Sequence, residues 1–256
     1  MRRVLPPAIA FVVIVGAWEA IVRAFAVPAY LVPPPSMVAC TAWREAHELL
    51  RAAATTASTA LVGFLLSTVL GIMGGMLLAS SRVLERALYP YALFLQTVPI
   101  VAIAPLLVLW FGAGARAVAV SAFIVSVFPV IANTLGGVRA VEPALRDLFR
   151  LYRASRSDTL FKLELPAALP QIVTGLRVAS GLAVIGAIVG EFVAGFSEGN
   201  AGLGITVLSA YRQLRTDLLF AAVVCAALLG LLLFGAVNLA GSALLRRWHP
   251  SAKEST

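Results

Sequence analysis

Lysine is nearly missing from this 256-residue chain, occurring only at Lys162 and Lys253. Neither follows a glycine, which excludes the glycine-lysine core of a nucleotide-binding phosphate loop. Histidine also occurs only twice, at His47 and His249, and no metalloprotease-type pairing is present. The two cysteines, Cys40 and Cys225, stand far apart, with neither metal-ligand spacing nor a disulfide framework. Charged residues make up 12% of the chain, against about a quarter in an average soluble domain. No paired-carboxylate site and no Ser/His/Asp set emerges. The chain is therefore expected to carry no active site, no metal and no bound cofactor of its own. Its formal charge of +8 does not form the basic stripe that nucleic-acid binding requires.

What fills the chain instead is apolar sequence, 61% of it. It falls into about six runs, each near the ~20 residues a bilayer crossing needs. They are Val4–Val27, Thr55–Ala79, Ala87–Phe111, Ala117–Leu135, Ile172–Phe196 and Leu218–Leu245. The fold expected is an all-α membrane protein, one transmembrane domain over residues 1–256. The first run has a rival reading, since Ala24-Phe25-Ala26 looks like a leader-cleavage site. Glu19 and Arg23 weigh against it, because at i,i+4 they can pair and reach the surface.

The cations are unevenly shared among the connecting segments. Fourteen of the twenty fall on one side, including Arg82, Arg139, Arg146, Arg150, Arg153, Arg156 and Lys162. Arg23, Arg44, Arg51, Arg116, Arg212 and Arg215 fall on the other. The positive-inside rule puts the first set, and with it both termini, in the cytoplasm. The longest inside loop then spans residues 136–171.

Gly63, Ser67, Gly71, Gly75 and Ala79 recur every four residues in the second run. Such a ladder lines one helix face and lets another backbone approach closely. In the inside loop, Val141, Leu145, Leu148, Phe149 and Tyr152 recur at helical spacing. They predict a short amphipathic helix over Glu142–Ala154, either lying on the membrane surface or docking a cytosolic partner. A second helix is expected over Ser157–Leu165. Pro166 should end it, and Pro170 should open the next helix, making a rigid elbow.

The stretch "LRDLFRLYRASRSDTLFKLELPAALPQIVTGLR" resembles the EAA loop of permease subunits in bacterial ATP-binding-cassette importers. "YLVPPPSMV", "TALVGFLLSTVLGIMGGMLLASS", "QTVPIVAIAPLLVLWFG" and "GEFVAGFSEGNAGLG" extend the likeness over nearly the whole chain. More narrowly, it resembles the branch of nitrate, sulfonate and taurine permeases, which also includes thiamine-pyrimidine-precursor and riboflavin permeases. The resemblance implies a type I importer permease fold in the bacterial inner membrane. It implies a homodimer coupled to two cytosolic ATPase subunits, which use the ATP, and served by a periplasmic or lipid-tethered solute-binding protein.

Under that resemblance Asp147 stands for the usual loop glutamate and Phe149 for a small alanine. Arg153 stands where glycine is usual, and Ala154, Ser155, Leu165 and Pro166 match. These seven are the expected ATPase-coupling residues. Arginine at a turn built for glycine is the largest departure, because positive φ disfavours it. Thr59 is neutral where relatives often carry arginine.

Glu191 lies in the outer part of the fifth run. A carboxylate in a membrane is expensive unless paired or hydrated. Its expected place is the pathway or a gate, with gate or helix-anchoring work favoured over substrate coordination, and Gly202 and Gly204 of the outer segment Ser197–Gly204 beside it. The main alternative to an ATP-driven importer is a stand-alone secondary transporter or channel. That class typically shows internal repeats and broken helices around a midplane ion site; no convincing repeat is found.

Overall fold

The computed structural model describes residues 5–194 and 201–248. Its helices are α1 (Leu5–Ala24), α2 (Pro35–Arg44), α3 (Ala46–Ser80), α4 (Arg82–Thr97), α5 (Ile100–Phe111) and α6 (Ala115–Arg139). After them come α7 (Pro143–Leu151), α8 (Arg156–Thr159), a π turn (Leu160–Glu164), α9 (Leu165–Ala194), α10 (Leu203–Arg212) and α11 (Thr216–Trp248). Among the described residues, five segments are long and apolar enough to cross a membrane. They are α1, α3, α6, the run ending in α9, and α11.

The sixth expected crossing is not one helix. α4 and α5 meet at a bend of 99°, which divides the predicted run Ala87–Phe111. The cause is local. Val98 precedes Pro99, and the proline ring pushes it out of the helical region. Val98 sits at φ −69, ψ 123 and Pro99 at φ −63, ψ 111, so two extended residues separate the helices.

The centre is a three-helix slab of α3, α6 and α9, held by small residues. A Cβ placed on Gly63 would lie 2.5 Å from the Ala122 Cβ, one on Gly71 2.6 Å from that of Val130, and one on Gly75 2.5 Å from that of Thr134. Both series rise together, so α3 and α6 run parallel with their backbones in close approach. The opposite face of α6 meets α9 in the reverse sense. Gly137 lies against Ala168, Gly175 against Asn133, Gly186 against Ala122 and Gly190 against Ser121. Ala122 is thus held between a glycine of α3 and a glycine of α9. Without a hydrophobic drive between helices in lipid, such contact and the dispersion it allows supply the cohesion.

Around the slab, α11 and α2 close one side through Val38, Leu49, Leu203 and Ala222. α2 was not anticipated as a helix. Pro34 is extended at φ −66, ψ 145, and Pro35 then opens α2 at a position where its missing N–H costs nothing. α1 is the least buried of the crossing helices, with only Val22 buried. Its Glu19 accepts from Arg23 at 2.6 Å and from the Ser36 amide at 3.0 Å, which ties α1 to α2.

Candidate functional site

Two places gather the residues singled out in the sequence. The first is the knob made by α7, α8 and the π turn.

α7 ends earlier than expected, at Leu151, because the chain turns left-handed at Arg153, with φ +50. The Ala154 amide donates to the Phe149 carbonyl at 2.9 Å and the Arg153 amide to the Arg150 carbonyl at 2.9 Å. This is the paired bonding of a glycine-type helix terminus, made here by arginine. Ser155 then caps α8, its hydroxyl accepting from the Asp158 amide at 3.0 Å. The Lys162 ammonium and the Ser155 hydroxyl hold the Asp158 carboxyl below the usual carboxylate range.

The expected elbow at Pro166 is absent: the helical path continues from Arg156 to Ala194. The π turn explains how. The Leu165 amide donates to the Leu160 carbonyl, one residue beyond α-helical reach. That register shift takes place just ahead of Pro166, the residue that has no amide to donate and whose ring would crowd an α-helical carbonyl. Leu165 and Pro166 therefore lie in the first turn of α9, both half-buried, rather than at a break. Pro170 is likewise inside α9.

The knob is fastened to the membrane helices by arginines. Arg156 donates to the Ser80 carbonyl at the end of α3, at 3.0 Å. Arg146 donates to the Val138 carbonyl in α6 and lies 3.5 Å from Glu164 of the π turn. Arg139 and Glu85 join α6 to α4 at 2.6 Å. Asp147 is exposed and pairs with Arg150 at 3.1 Å.

The apolar face of α7 is only partly used by its own chain. Val141 is buried and Phe149 half-buried. Leu148, Leu151, Tyr152 and Phe161 stand 46%, 81%, 78% and 61% exposed. Leu151 and Phe161 were missed in the sequence; their signal was an apolar residue placed off the predicted stripe.

The second place is Glu191, which is 3% exposed. Its carboxylate accepts from the Thr56 hydroxyl at 2.8 Å and from the Gly204 amide at 2.7 Å. Thr56 in turn accepts from the Leu203 amide at 2.8 Å. α3, α9 and the start of α10 thus meet at one carboxylate. Gly202 and Gly204 make room for it: a Cβ on Gly202 would fall inside the Glu191 carboxylate, and one on Gly204 would lie 2.5 Å from the Ile188 carbonyl. Thr56 was not anticipated. Ser197–Asn200 lie outside the described residues. Thr59 is buried on α3 and donates to the Thr56 carbonyl at 3.1 Å. Among the described residues, no group of acids, histidines and cysteines is placed to hold a metal.

Residues 67–248 match the family model described as "Binding-protein-dependent transport system inner membrane component". The chain is 35% identical to a "Probable ABC transporter permease protein" of Haemophilus influenzae, over 92% of this chain and 95% of that one. It is 35% identical to the riboflavin transport system permease protein RibX of Chloroflexus aurantiacus, over 91% and 86%. Its fold is similar to a chain of the MetNI methionine ABC transporter in an inward-facing conformation, with a TM-score of 0.66 at 20% identity, over 78% of this chain and 95% of that one.

Proposed function

The chain belongs to the binding-protein-dependent transport system inner membrane components, and from that premise we propose how it is driven, with what partners and in which orientation. It is a multi-pass membrane permease subunit of an ABC importer. The proposal gives it no ATPase site; the ATP is used by a cytosolic ATPase dimer. It makes residues 1–256 one transmembrane domain, with residues 136–171 as the coupling loop.

In the proposed assembly two copies enclose the substrate path between them, and a periplasmic or lipid-tethered solute-binding protein delivers to the outer face. Both termini are cytoplasmic. Asp147, Phe149, Arg153, Ala154, Ser155, Leu165 and Pro166 form the coupling region, with Leu148, Leu151 and Tyr152 as its apolar contact. The observation that carries this reading is the exposed apolar face of α7, on a knob bonded to the ends of α3 and α6 and continuous with α9. A partner that moves the knob moves the slab. Glu191, Gly202 and Gly204 act as an outer anchor, holding α10 to α3 and α9. They do not bind the substrate.

The solute is small: a sulfonate-, nitrate- or taurine-like anion, or a riboflavin- or thiamine-pyrimidine-type compound. Uptake into vesicles tests the mechanism. Transport should require ATP together with the ATPase and the binding protein. Uptake by this chain alone, driven by an ion gradient, would overturn the proposal in favour of a secondary transporter.

A further inference from the structure

The knob does not close completely onto the slab. Between the cytoplasmic end of α3 and the α7–α8–π segment lies a cavity of about 650 Å³. Met76 and Leu77 supply an apolar wall, while Arg146, Arg150 and Arg156 supply three guanidiniums against the single carboxylate of Glu164. The Arg146 Nε is buried and has no hydrogen-bond partner. Arg156 spends one nitrogen on the Ser80 carbonyl, and Arg150 pairs with Asp147 on α7. With Asp147 beside Arg150, the cavity carries an excess of one positive charge, donors to spare, and one greasy side.

We propose that this cavity binds the phosphate headgroup of an anionic phospholipid, with the glycerol and upper acyl region against Met76 and Leu77. Guanidinium forks match phosphate oxygens in pairs. A free phosphate would use the arginines and leave the apolar wall unused. A basic pocket between membrane helices at the cytoplasmic surface meets anionic headgroups at high local concentration. A lipid held there bridges the α3 end and the knob, so knob and slab share a ligand as well as bonds. The inference rests on the membrane placement given above and is independent of what is transported.

The test uses the full chain with its partner subunits in nanodiscs. Native mass spectrometry reads retention of phosphatidylglycerol against phosphatidylcholine, without any transport assay. Phosphatidylglycerol should be retained preferentially, and less so at high salt. In the double variant Arg150→Gln/Arg156→Gln its affinity should fall about 30-fold, from the loss of two surface-level cations. Arg156→Lys should restore part of it. Should the double variant fail to assemble, Arg150→Gln alone serves, with a fall of about fivefold. Equal retention of phosphatidylcholine would sink the proposal, as would undiminished binding in the variants. Inorganic phosphate binding as tightly as phosphatidylglycerol would sink it too, since the apolar wall would then contribute nothing.

Discussion

Arg153 occupies a left-handed turn that glycine fills at no steric cost, and it is one of three such residues among those described. Ala26 and Leu214 also have positive φ, at 48° and 56°. The left-handed region costs a non-glycine residue roughly 1–2 kcal/mol, part of which glycine gives back through a more disordered unfolded chain. Arg153→Gly should therefore tighten the turn by about 0.5–1 kcal/mol. Slower hydrogen exchange at the Ala154 amide is the expected reading, and faster exchange would contradict it. At Glu191 the expected result is a coupling between variants. Glu191→Ala strips the partner from the Gly204 amide, costing about 1–3 kcal/mol for a group left buried and unpaired, while the Thr56 hydroxyl keeps the Ala52 carbonyl at 3.2 Å. Gly202→Ala should destabilise strongly by itself, because its methyl displaces the carboxylate. In the Glu191→Ala background that methyl finds space, so the second change should cost much less. Additive losses in thermal unfolding would refute the cradle. The sequence marks Glu191 as costly and Arg153 as odd. It cannot reveal Thr56, which lies 135 residues away in a helix whose local pattern gives it no distinction.

α7 is legible as an amphipathic helix because its period is local. Which part of its face remains uncovered is not legible, since that depends on where α6 and the π turn deliver the knob. Phe149→Ala should weaken ATPase association, although that ring is already partly covered by its own chain. Ala154→Asp should do so by placing an unpaired charge at the contact. Leu151→Ala, at a side chain 81% exposed, removes only contact with a partner. If that contact is complete it costs roughly 1.5–3 kcal/mol, which weakens association at least about tenfold. Co-purification of the ATPase decides between docking and membrane-surface roles: undiminished binding in all three variants would end the coupling assignment. The element misread outright is the Pro166 boundary. In sequence, a proline that lacks a donor and crowds the preceding turn reads as a helix break. A π turn of five residues absorbs that conflict while the helical path continues, and no sequence period announces it. The α4–α5 bend is the reverse case. Val98-Pro99 was within view, but uninterrupted apolar character on both sides hid it.

At the scale of the whole molecule, the parallel course of α3 and α6 fits one crossing between them, the bent α4–α5 pair, and the reversed course of α9 fits a direct return from α6. In the proposed orientation, with the basic loops inside, the exposed Cys40 of α2 lies outside. A membrane-impermeant thiol reagent should label it in intact cells, while Ser155→Cys in a Cys40→Ser background should stay protected. The opposite pattern would invert the orientation. The number and apolarity of the crossings were open to reading from composition alone. The pairing of faces was only half open, for the ladder on α3 names one partner and leaves the other unnamed. That partner is Ala122, Ser126, Val130 and Thr134 on α6, a second series at the same interval, and all four are buried. Two matching four-residue series leave little freedom for sequence drift. Substitution libraries scored for membrane insertion and abundance should show intolerance recurring at every fourth position along both helices, with permissive lipid-facing positions between. Along this line trimming one helix does not make room on the other, because a side chain at Gly63 or Gly75 would also meet the Ala119 and Ile131 carbonyls, at 2.7 and 2.8 Å, so any added volume has to be met by the two helices moving apart.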